Sequence, residues 1–355
     1  MGLAQLKVQN FRCLANVAVG LHPTQNHFVG PNGAGKTSLL EAVFFLGRGR
    51  SFRTHRASRL IRDGAKAFEV VGHVGWGGHE VVLGVRGAAL GVEARVGGAP
   101  AQTLAELAER LPVQIIDPEV HKLVEDGPGH RRRYLDWGVF HVKQGFLPAW
   151  RRYRRALKQR NAALRQNQPV AAISSWNAEF IEAAHQITHM RETYVEMLAE
   201  PAGAIARDLL GDAIELEYTP GWPAGGTLEG ALSAAMQRDR ERGNTQAGPH
   251  RADLKIRVRG RLARDRVSRG QQKMLSAALI LAQLEVLQAA TSRAGILLLD
   301  DPAAELDEIG LGRLLERISA MPVQRLITGL DGRTLPFTED VRRFRITQGE
   351  VSELV

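Results

Sequence analysis

The residues with the clearest chemical potential lie in a glycine-rich stretch near the start of the chain, GPNGAGKT at 30–37. It fits the pattern G-x-x-x-x-G-K-[ST], in which glycines let backbone N–H groups turn inward around a phosphate. Lys36 can then reach the β- and γ-phosphates, and the hydroxyl of Thr37 can coordinate Mg²⁺. A strand-like run precedes the stretch and a helical run follows it, so the helix N-terminus is aimed at the anion. A glycine turn without function does not explain this context.

A second set of candidate residues, Asp300 and Asp301, follows the apolar run ILLL. Four apolar residues before an acid are typical of a strand that is covered on both faces. Because a phosphate-loop enzyme needs an acid at the end of such a strand, Asp300 is predicted to bind Mg²⁺ directly or through water. Asp301 is then suited to orient and polarise an attacking water as a general base. The alternative is a strand-end acid that caps a turn with Pro302.

A third polar stretch, RVSRGQQ at 266–272, opens a strongly apolar helix. Helices often begin after Ser and Gly, so the pattern alone is compatible with an ordinary helix cap. Its position is less ordinary, since Ser268 lies 232 residues after Lys36. The sequence by itself leaves open what this turn does so far from the first glycine loop.

Composition and charge indicate a globular protein with a polyanionic partner. The chain has 355 residues, of which 44% are apolar and 24% charged, enough for one large domain or two ordinary ones. Lys and Arg outnumber Asp and Glu by 47 to 38, and the net charge of +9 favours nucleic acid over a merely basic surface. Cys13 is the single cysteine, so no intrachain disulfide can form, and a reducing, cytoplasmic location is expected. The N-terminus is too polar for a signal peptide, and no membrane span is expected.

Hydrophobic patterning predicts an α/β protein in three parts, with a helical insertion at 119–211 between α/β parts at 1–118 and 212–355. The first part combines short strands, an antiparallel sheet of hairpins and two helices, of which the first is expected to stop at Gly47. The strands predicted in this part are 3–11, 16–21, 25–30, 68–74, 80–85, 92–96 and 113–116, and the helices are 38–47 and 103–110.

The insertion and the last part differ in their hydrophobic patterns. Strand-like runs disappear after residue 119, and apolar residues recur at the spacing of one face of a helix. The members of this stripe are Phe180, Ala184, Ile187, Tyr194 and Leu198. Strands return at 217–220 and 253–260, followed by the helix from 268, a strand at 295–300, a helix at 308–319 and a strand at 325–330.

Together these motifs resemble the ABC-type ATPases, with VSRGQQ similar to their signature and AELD at 304–307 similar to their D-loop. The wide gap between phosphate loop and signature resembles the SMC/Rad50 branch, which acts on DNA. An insertion of about ninety residues is too short for the long coiled coil of an SMC or Rad50 protein. Segments over nearly the whole chain resemble the bacterial RecF family: NFRCL, LEAVFFLGRGRSFRTH, PVQIIDPE, GPGHRRRYLDWGVFH, LKQRNAALRQ and AGPHRADL.

The resemblance implies an ABC-type P-loop ATPase head with an antiparallel β subdomain and an inserted helical lobe. The cofactors are then ATP and Mg²⁺, and ATP induces a homodimer in which Ser268 and Gly270 of one chain contact the γ-phosphate held by the other. The family is implied to bind gaps and junctions between single- and double-stranded DNA and to help RecA load together with RecO and RecR. Its ATPase is weak and stimulated by DNA, and hydrolysis releases the dimer.

The site residues implied by the resemblance extend over all three motifs. The catalytic residues are Lys36, Asp300, Asp301, Ser268 and Gly270, with Thr37 and Asp300 at the metal. The residues expected to hold ATP are Arg12, Gly30, Pro31, Asn32, Gly33, Ala34, Gly35, Lys36, Thr37, Ser38, Gln114, Ser268, Arg269, Gly270 and Gln271.

Some of these positions depart from the superfamily pattern. Arg269 replaces a frequent glycine of transporter signatures, and an Arg there can contact a phosphate, a ribose or the partner surface. No histidine follows the strand at 325–330 as in transporters; Thr328 is the nearest polar residue and a candidate γ-phosphate sensor. Gln114 is a candidate Q-loop residue, with a polar residue of the strand as the alternative. Arg12 is expected to reach the nucleotide, and Asn32 to hydrogen-bond near the γ-phosphate.

Three arginine-rich stretches are candidates for a DNA surface, because clustered cations attract phosphates through counterion release. The first, 48–62, contains six arginines and no acid, and the others are 131–133 and RRYRRALKQR at 151–160. A solvated surface is the alternative for each, and for 131–133 a structural pairing with Asp136. The candidate DNA contacts are Arg50, Arg53, Arg56, Arg131, Arg132, Arg151 and Arg155. No stretch resembles a base-reading module, so recognition of the DNA backbone is expected.

Three functions are compatible with these features to different degrees. The first is a RecF-like DNA-repair ATPase. The second, the ATPase subunit of a transporter, is disfavoured by the wide motif gap, the missing histidine and the basic charge. The third is an ATP-gated clamp that mainly recruits protein partners, and the sequence does not separate it cleanly from the first.

Overall fold

The computed structural model describes residues 2–76, 78–330 and 341–354. In chain order the strands are β1 (Gly2–Phe11), β2 (Leu14–Gly20), β3 (Gln25–Val29), β4 (Ala67–Trp76), β5 (His79–Ala88), β6 (Gly91–Val96), β7 (Ala99–Pro100), β8 (Val113–Ile116), β9 (Ile214–Thr219), β10 (Asp253–Val258), β11 (Arg261–Leu262), β12 (Ile296–Leu299), β13 (Gln324–Gly329), β14 (Arg342–Thr347) and β15 (Glu350–Leu354). The α-helices are α1 (Lys36–Arg48), α2 (Ala105–Arg110), α3 (Lys122–Glu125), α4 (Pro128–Val142), α5 (Phe146–Arg165), α6 (Val170–Ser174), α7 (Asn177–Leu210), α8 (Leu228–Arg242), α9 (Arg269–Thr291), α10 (Pro302–Glu305) and α11 (Glu308–Ser319).

The chain divides into two compact units. The first comprises Met1–Val120 and Leu287–Val355, and the second comprises His121–Val286. The second unit therefore holds most of the predicted helical insertion together with residues 212–286, which the sequence assigned to the last α/β part. The three-part division at 118 and 211 stays a prediction.

The first unit contains a sheet in the order β15-β14-β3-β13-β12-β8. Its strands are parallel except for β15, which pairs antiparallel with β14. The residues of β12 are all apolar and buried, as expected of a strand covered on both faces. Because parallel strands present their carboxyl ends at one edge, the glycine loop after β3 and Asp300 after β12 lie at the same edge. β13 runs between those two strands and brings Thr328 to this edge as well.

A second sheet of the first unit has the order β2-β1-β4-β5-β6-β7, and every pairing in it is antiparallel. This confirms the hairpins predicted between residues 68 and 96. The core between the sheets is one contiguous apolar cluster that includes α1. The rings of Phe11, Phe45 and Phe68 meet edge to face within it, 5.0 Å apart for Phe11 and Phe68. Burial of each ring stabilises the fold by roughly 1.5–3 kcal/mol, so this cluster fixes α1 and the loop before it.

The helix after the glycine loop continues past Gly47, and the prediction that it ends there is wrong. α1 ends at Arg48, and Gly49 caps it with φ 62. Gly47 instead lies where the helix passes close to β8, because a Cβ at this position would come within 2.5 Å of Val113 Cγ2. One glycine permits close packing and the next permits the left-handed turn.

The second unit is mainly helical, with a small antiparallel sheet in the order β11-β10-β9. α7 packs against α4 and α5, and the five stripe residues predicted from the sequence are all buried on it. With 34 residues α7 is the longest helix in the described ranges, about 50 Å at 1.5 Å per residue. That length fits a compact lobe, and no coiled-coil arm is present among the described residues.

One helix, α9, is long and apolar enough to cross a membrane by length and composition alone. Of its most apolar segment, 72% is buried inside the protein, as in the core helix of a globular fold.

Candidate functional site

The glycine loop occupies the turn between β3 and α1 at the carboxyl edge of the parallel sheet. Two of its glycines are required by geometry. A Cβ on Gly30 would lie 2.2 Å from the carbonyl oxygen of Ile346, and Gly35 has φ 113 directly before α1. No described side chain caps the start of α1, so its first N–H groups and its partial positive charge face the loop.

Lys36 and Thr37 begin α1 and supply an ammonium and a hydroxyl group at the carboxyl edge of the parallel sheet. The Lys36 ammonium donates hydrogen bonds to the carbonyl oxygens of Gly30, at 2.7 Å, and Pro31, at 3.0 Å, so it lies across the mouth of the loop. The Thr37 hydroxyl lies 2.9 and 3.0 Å from the two carboxylate oxygens of Asp300. The structure therefore brings together the hydroxyl and the carboxylate that the sequence predicted at a Mg²⁺ ion.

Thr328 connects the two acids that follow β12. Its hydroxyl lies 2.9 Å from Asp300 Oδ1 and accepts a hydrogen bond from the Asp301 N–H at 3.0 Å. Asp301 has φ 48, a left-handed conformation that Asp tolerates better than most residues. Burial raises the pKa of Asp300, with a smaller opposing effect from the two threonine hydroxyls. Thr328 thus positions the Asp300 carboxylate and the backbone of Asp301. Its predicted role as γ-phosphate sensor stays a prediction.

The residue that follows β8 at this edge is Asp117, and the sequence chose Gln114 instead. The Asp300 N–H bonds to the Ile116 carbonyl at 3.0 Å, so the two strands reach the edge together and Asp117 lies next to Asp300. Burial, and then the charge of Asp300, raise the pKa of Asp117 to about 6. Gln114 lies inside the strand, where its side-chain oxygen accepts from Arg48 at 2.9 Å. The Gln114 side chain therefore bonds to the last residue of α1, and its contact with ATP stays a prediction.

Arg12 and Arg53 are held beside the loop by one buried acid, Glu41. Arg12 donates to both oxygens of this carboxylate, with 2.8 Å for Nη2, and Arg53 forms an ion pair with it at 3.6 Å. Ser51 also donates to Glu41. Glu41 is fully buried, whereas the Arg53 side chain is 46% exposed. Arg53, which the sequence assigned to DNA, therefore lies at the same site as Asp300, whose pKa its charge lowers.

These residues surround a cavity of about 400 Å³. Its lining comprises Cys13, Asn32, Gly33, Gly35, Lys36, Thr37, Ser38, Arg53, Pro118, Asp300, Asp301 and Ala304. Lys36, Arg53 and the N-terminus of α1 supply positive charge for phosphates, and Thr37 with Asp300 supplies the oxygen ligands that Mg²⁺ prefers. The residues present fit a nucleoside triphosphate with its Mg²⁺. The predicted nucleotide contacts of this unit that are not part of the lining are Arg12, Gly30, Pro31, Ala34 and Gln114. Ala34 is buried, and Arg12 is paired with Glu41.

The turn between β14 and β15 supports the glycine loop from below, and the sequence analysis missed it. The Gly349 N–H bonds to the Ala34 carbonyl at 2.8 Å. Gly349 has φ 83, and a Cβ there would lie 2.3 Å from the Cys13 carbonyl oxygen. A glycine between two β-branched runs, as in the ITQGEV segment at 346–351, was the available signal for this hairpin.

The signature-like turn lies in the second unit at the start of α9. Ser268, Arg269, Gly270 and Gln271 are all exposed. The Gln271 N–H bonds to the Ser268 hydroxyl at 3.3 Å, and the Ser268 N–H bonds to the Gln271 side-chain oxygen at 2.9 Å. This reciprocal pair is a capping box, so the turn does serve as a helix cap. Arg269 lies 3.3 Å from the His121 ring through its guanidinium, in its own unit.

Known proteins with similar sequences belong to a family of ATPase heads, in agreement with the geometry of this site. The family model of the RecF/RecN/SMC N-terminal domain matches residues 2–353. Curated relatives described as DNA replication and repair protein RecF are 37% identical in Erwinia tasmaniensis and 39% identical in Azotobacter vinelandii, over 99% of this chain and 99% of each relative. The chain belongs to the RecF family.

Solved structures agree with this family and its fold. The recombination mediator protein RecF-ATP in the RecFOR pathway matches with a TM-score of 0.90 and 26% identity, over 100% of this chain and 98% of that one. The same mediator with ATPrS matches with a TM-score of 0.89. An SMC head bound to the C-winged helix domain of ScpA shares 18% identity and a TM-score of 0.61, which shows the common fold alone. The predicted ABC-type ATPase head of the SMC/Rad50 kind is confirmed.

The predicted DNA contacts of this RecF-family chain lie in different environments. Arg50 and Arg56 are exposed in the first unit, and Arg151 and Arg155 are exposed on α5. Arg132 is half-buried and donates to the Ala252 carbonyl at 2.7 Å.

Arg131 has a different role from its two neighbours. Its side chain is 6% exposed and forms an ion pair with Asp253 at 2.7 Å, besides bonds to backbone carbonyls. The structural alternative therefore holds for Arg131, although its partner is Asp253, and Asp136 pairs with Arg191 instead. As placed, Arg131 is not available to DNA.

Proposed function

We propose that the chain is an ATP-dependent DNA-binding protein of recombinational repair that acts as an ATP-induced homodimer. ATP binds with Mg²⁺ in the cavity of the first unit, and the signature turn of a second chain completes the site. The observation that carries the proposal is the pairing of Thr37 with Asp300 beside Lys36, because this set has little use outside phosphate binding.

Within one chain the side chains take distinct roles. Lys36 binds the β- and γ-phosphates, Thr37 and Asp300 hold the metal, and Arg53 binds a phosphate oxygen from the opposite wall. Bound Mg²⁺ would neutralise the charge that develops on the phosphates. Asp301 orients the attacking water and accepts its proton, and Thr328 holds the Asp300 carboxylate and the backbone N–H of Asp301. Asp117 supplies a further carboxyl group next to Asp300.

The signature turn supports dimerisation because it is exposed although it caps its own helix. Ser268 and Gly270 are exposed, and a Cβ on Gly270 would meet no atom within 4 Å. The first turn of α9 adds the positive end of a helix of 23 residues. We infer that these groups bind the γ-phosphate held by a partner chain.

DNA is the proposed macromolecular ligand, and the net charge of +9 supports it. The exposed candidates Arg50, Arg56, Arg151 and Arg155 remain in the proposed surface with half-buried Arg132. Gaps and junctions between single- and double-stranded DNA are the proposed targets. RecR and RecO are the proposed protein partners in loading RecA, since similar solved structures are described as recombination mediators of the RecFOR pathway. The proposed location is cytoplasmic, and weak, DNA-stimulated hydrolysis releases the dimer.

Sedimentation of the protein with Mg²⁺ and a non-hydrolysable ATP analogue tests the proposal. We expect a monomer without nucleotide and a dimer with it. The variant Ser268→Arg is expected to bind the analogue with the affinity of the unmodified protein and to stay monomeric. A chain that stays monomeric with saturating analogue, or a Ser268→Arg variant that cannot bind nucleotide, contradicts the shared site. If dimers form and gapped DNA does not bind, a clamp that recruits proteins replaces the DNA proposal.

A further inference from the structure

The turn that carries AGPHRADL, residues 247–254, lies in the second unit and has no part in the nucleotide site. Gly248 has φ 132, and its Cβ would lie 2.9 Å from both the Phe180 ring and the Tyr153 hydroxyl. The Tyr153 hydroxyl lies 2.5 Å from His250 Nδ1, and the Thr245 carbonyl lies 2.9 Å from His250 Nε2. The turn is therefore locked onto α5 and α7 by packing and by two bonds to one imidazole.

The residues before the turn are fixed as firmly. The Thr245 N–H bonds to Asn161 Oδ1 at 2.9 Å, and the Thr245 hydroxyl accepts from Arg160 at 2.6 Å. Arg160 also forms a fully buried ion pair with Asp239 at 2.8 Å. A surface loop with this much support presents its exposed side chains in a defined direction.

Three arginines surround this turn, and each is oriented by a neutral group. Arg132 donates to the Ala252 carbonyl at 2.7 Å. Arg251 donates to the side-chain oxygens of Gln246 at 3.2 Å and Asn244 at 3.4 Å.

Arg154 completes the set from α5. Its guanidinium lies over the Trp150 ring, 5.9 Å from the centroid. Trp150 stacks on Tyr153 at 5.8 Å, and Tyr153 in turn faces His250. Aromatic side chains therefore connect this arginine to the turn. Burial lowers the pKa of His250 to about 4, with smaller contributions from the charges of Arg251, Arg132 and Arg154.

Other arginines of the unit contrast with these three. Arg131 pairs with Asp253, Arg160 with Asp239 and Arg191 with Asp136. Within the described ranges, Arg132, Arg154 and Arg251 form no ion pair at 4.0 Å or less. Their geometry is fixed and no acid pairs with them directly, although Asp253 and Asp136 lie close enough to Arg132 to influence its pKa. Fixed guanidinium groups without a direct ion pair suit an anion better than a solvated surface.

We propose that Arg132, Arg154 and Arg251 form a site for the phosphates of a DNA backbone on the second unit. The inference rests on the proposed DNA-binding function and names where the backbone is held. Phosphate is favoured over a base because the Trp150 ring already has several partners: Phe146 stacked at 6.1 Å, Tyr153 at 5.8 Å and the Arg191 guanidinium at 5.7 Å. Guanidinium groups at fixed spacing bind phosphates without regard to base sequence.

The test removes two of the three charges and measures DNA affinity across salt concentrations. The double variant Arg154→Gln/Arg251→Gln keeps Arg132, whose bond to Ala252 supports the turn. Its matched control is Arg238→Gln/Arg240→Gln, which removes the same charge from exposed positions of α8. Fluorescence anisotropy with a labelled gapped duplex gives the affinity, and nucleotide binding and thermal melting check the fold.

We expect the slope of log affinity against log salt to fall by about 1.8, since each phosphate contact contributes about 0.9. The DNA affinity of the double variant at moderate salt should fall roughly tenfold or more. The fold-loss of DNA affinity in the α8 control should be less than half of that. Arg154→Lys/Arg251→Lys should restore most of the slope, because it keeps the charge.

Four results would overturn the site. Unchanged slope and affinity in the Arg154→Gln/Arg251→Gln variant reject it while the proposed DNA-binding function stands. An equal loss in the α8 control shows that only net charge matters. If the Arg154→Gln/Arg251→Gln variant binds DNA like the unmodified protein but no longer binds a labelled glutamate-rich peptide, the arginines serve an acidic protein segment instead. Failure of the unmodified protein to bind DNA at any salt concentration rejects the proposed function as well.

Discussion

The nucleotide cavity and the signature turn differ most in how far each is completed by its own unit. In the cavity, Lys36 donates to carbonyls of the glycine loop, Thr37 bonds to Asp300, and Thr328 of β13 also bonds to Asp300. In the turn, the side chains of Ser268 and Gln271 each accept from the other residue's backbone N–H, and both residues are exposed. A site with pre-positioned charges binds a ligand with little reorganisation. An exposed, self-capped turn can instead meet a ligand that is held by another chain.

The difference also separates binding from catalysis. The residues proposed to hold the triphosphate lie in the first unit, so a single chain should bind ATP. The second group proposed to stabilise the γ-phosphate charge lies on the turn, so hydrolysis should depend on association.

Loss of the Lys36 ammonium should have the largest effect. Lys36→Ala removes charged hydrogen bonds worth about 1.5–3 kcal/mol each, so nucleotide affinity should fall by roughly 100-fold or more. Titration with a fluorescent ATP analogue measures this, with Lys66→Ala, an exposed lysine of the same unit, as the control. Affinity within threefold of the unmodified protein would show that the loop is not the phosphate site.

Arg53 and Arg56 separate nucleotide binding from DNA binding within one arginine-rich stretch. Arg53 lines the cavity and Arg56 is exposed outside it, so Arg53→Gln should weaken ATP binding about tenfold and Arg56→Gln should leave it unchanged. The same titration compares the two variants. If both substitutions change ATP affinity equally, Arg53 has no special place at the nucleotide. Arg53 would then again be a candidate DNA contact, as the sequence suggested.

Cys13 reports directly on the cavity, because it is the only cysteine of the chain and lies in the cavity lining. Its thiol is exposed, and Mg²⁺-ATP should slow its reaction with a maleimide by roughly tenfold through steric cover. Mass spectrometry of the labelled protein over time gives the rate. The Lys36→Ala variant should show no protection at the same nucleotide concentration. Equal labelling rates with and without nucleotide would place the ligand elsewhere.

The capping box at the signature turn should contribute least. Gln271→Ala removes the bond to the Ser268 N–H at an exposed position, and it should lower the free energy of unfolding by about 0.5–1 kcal/mol. Urea denaturation measures this loss. ATP binding by the monomer should not change. A loss of several kcal/mol would mean that the turn is a structural element first and a ligand-binding element second.

The sequence predicted the elements that local patterns determine. The loop at 30–37, the apolar strand before Asp300 and the hairpins between 68 and 96 follow from residue types within a few positions. The same holds for the buried stripe on α7. The resemblance to the family then supplied the expected arrangement of head and lobe.

The errors and omissions all involve partners that are distant in sequence. Arg131 was assigned to DNA, yet its partner Asp253 lies 122 residues away. Gln114 was expected at ATP, and the strand pattern at 113–116 gives no sign that Arg48, 66 residues away, donates to its side chain. Gly47 looked like a helix stop, and only the approach of Val113 shows that it is a packing glycine.

The central claim is that one active site needs the phosphate loop of one chain and the signature of another. The direct measurement is ATP hydrolysis by an equal mixture of Lys36→Ala and Ser268→Arg. Each variant alone should be inactive, and the mixture should hydrolyse ATP, because the heterodimer combines the intact loop of one chain with the intact turn of the other. A mixture no more active than the sum of the separate variants, with both folded, would contradict the shared site.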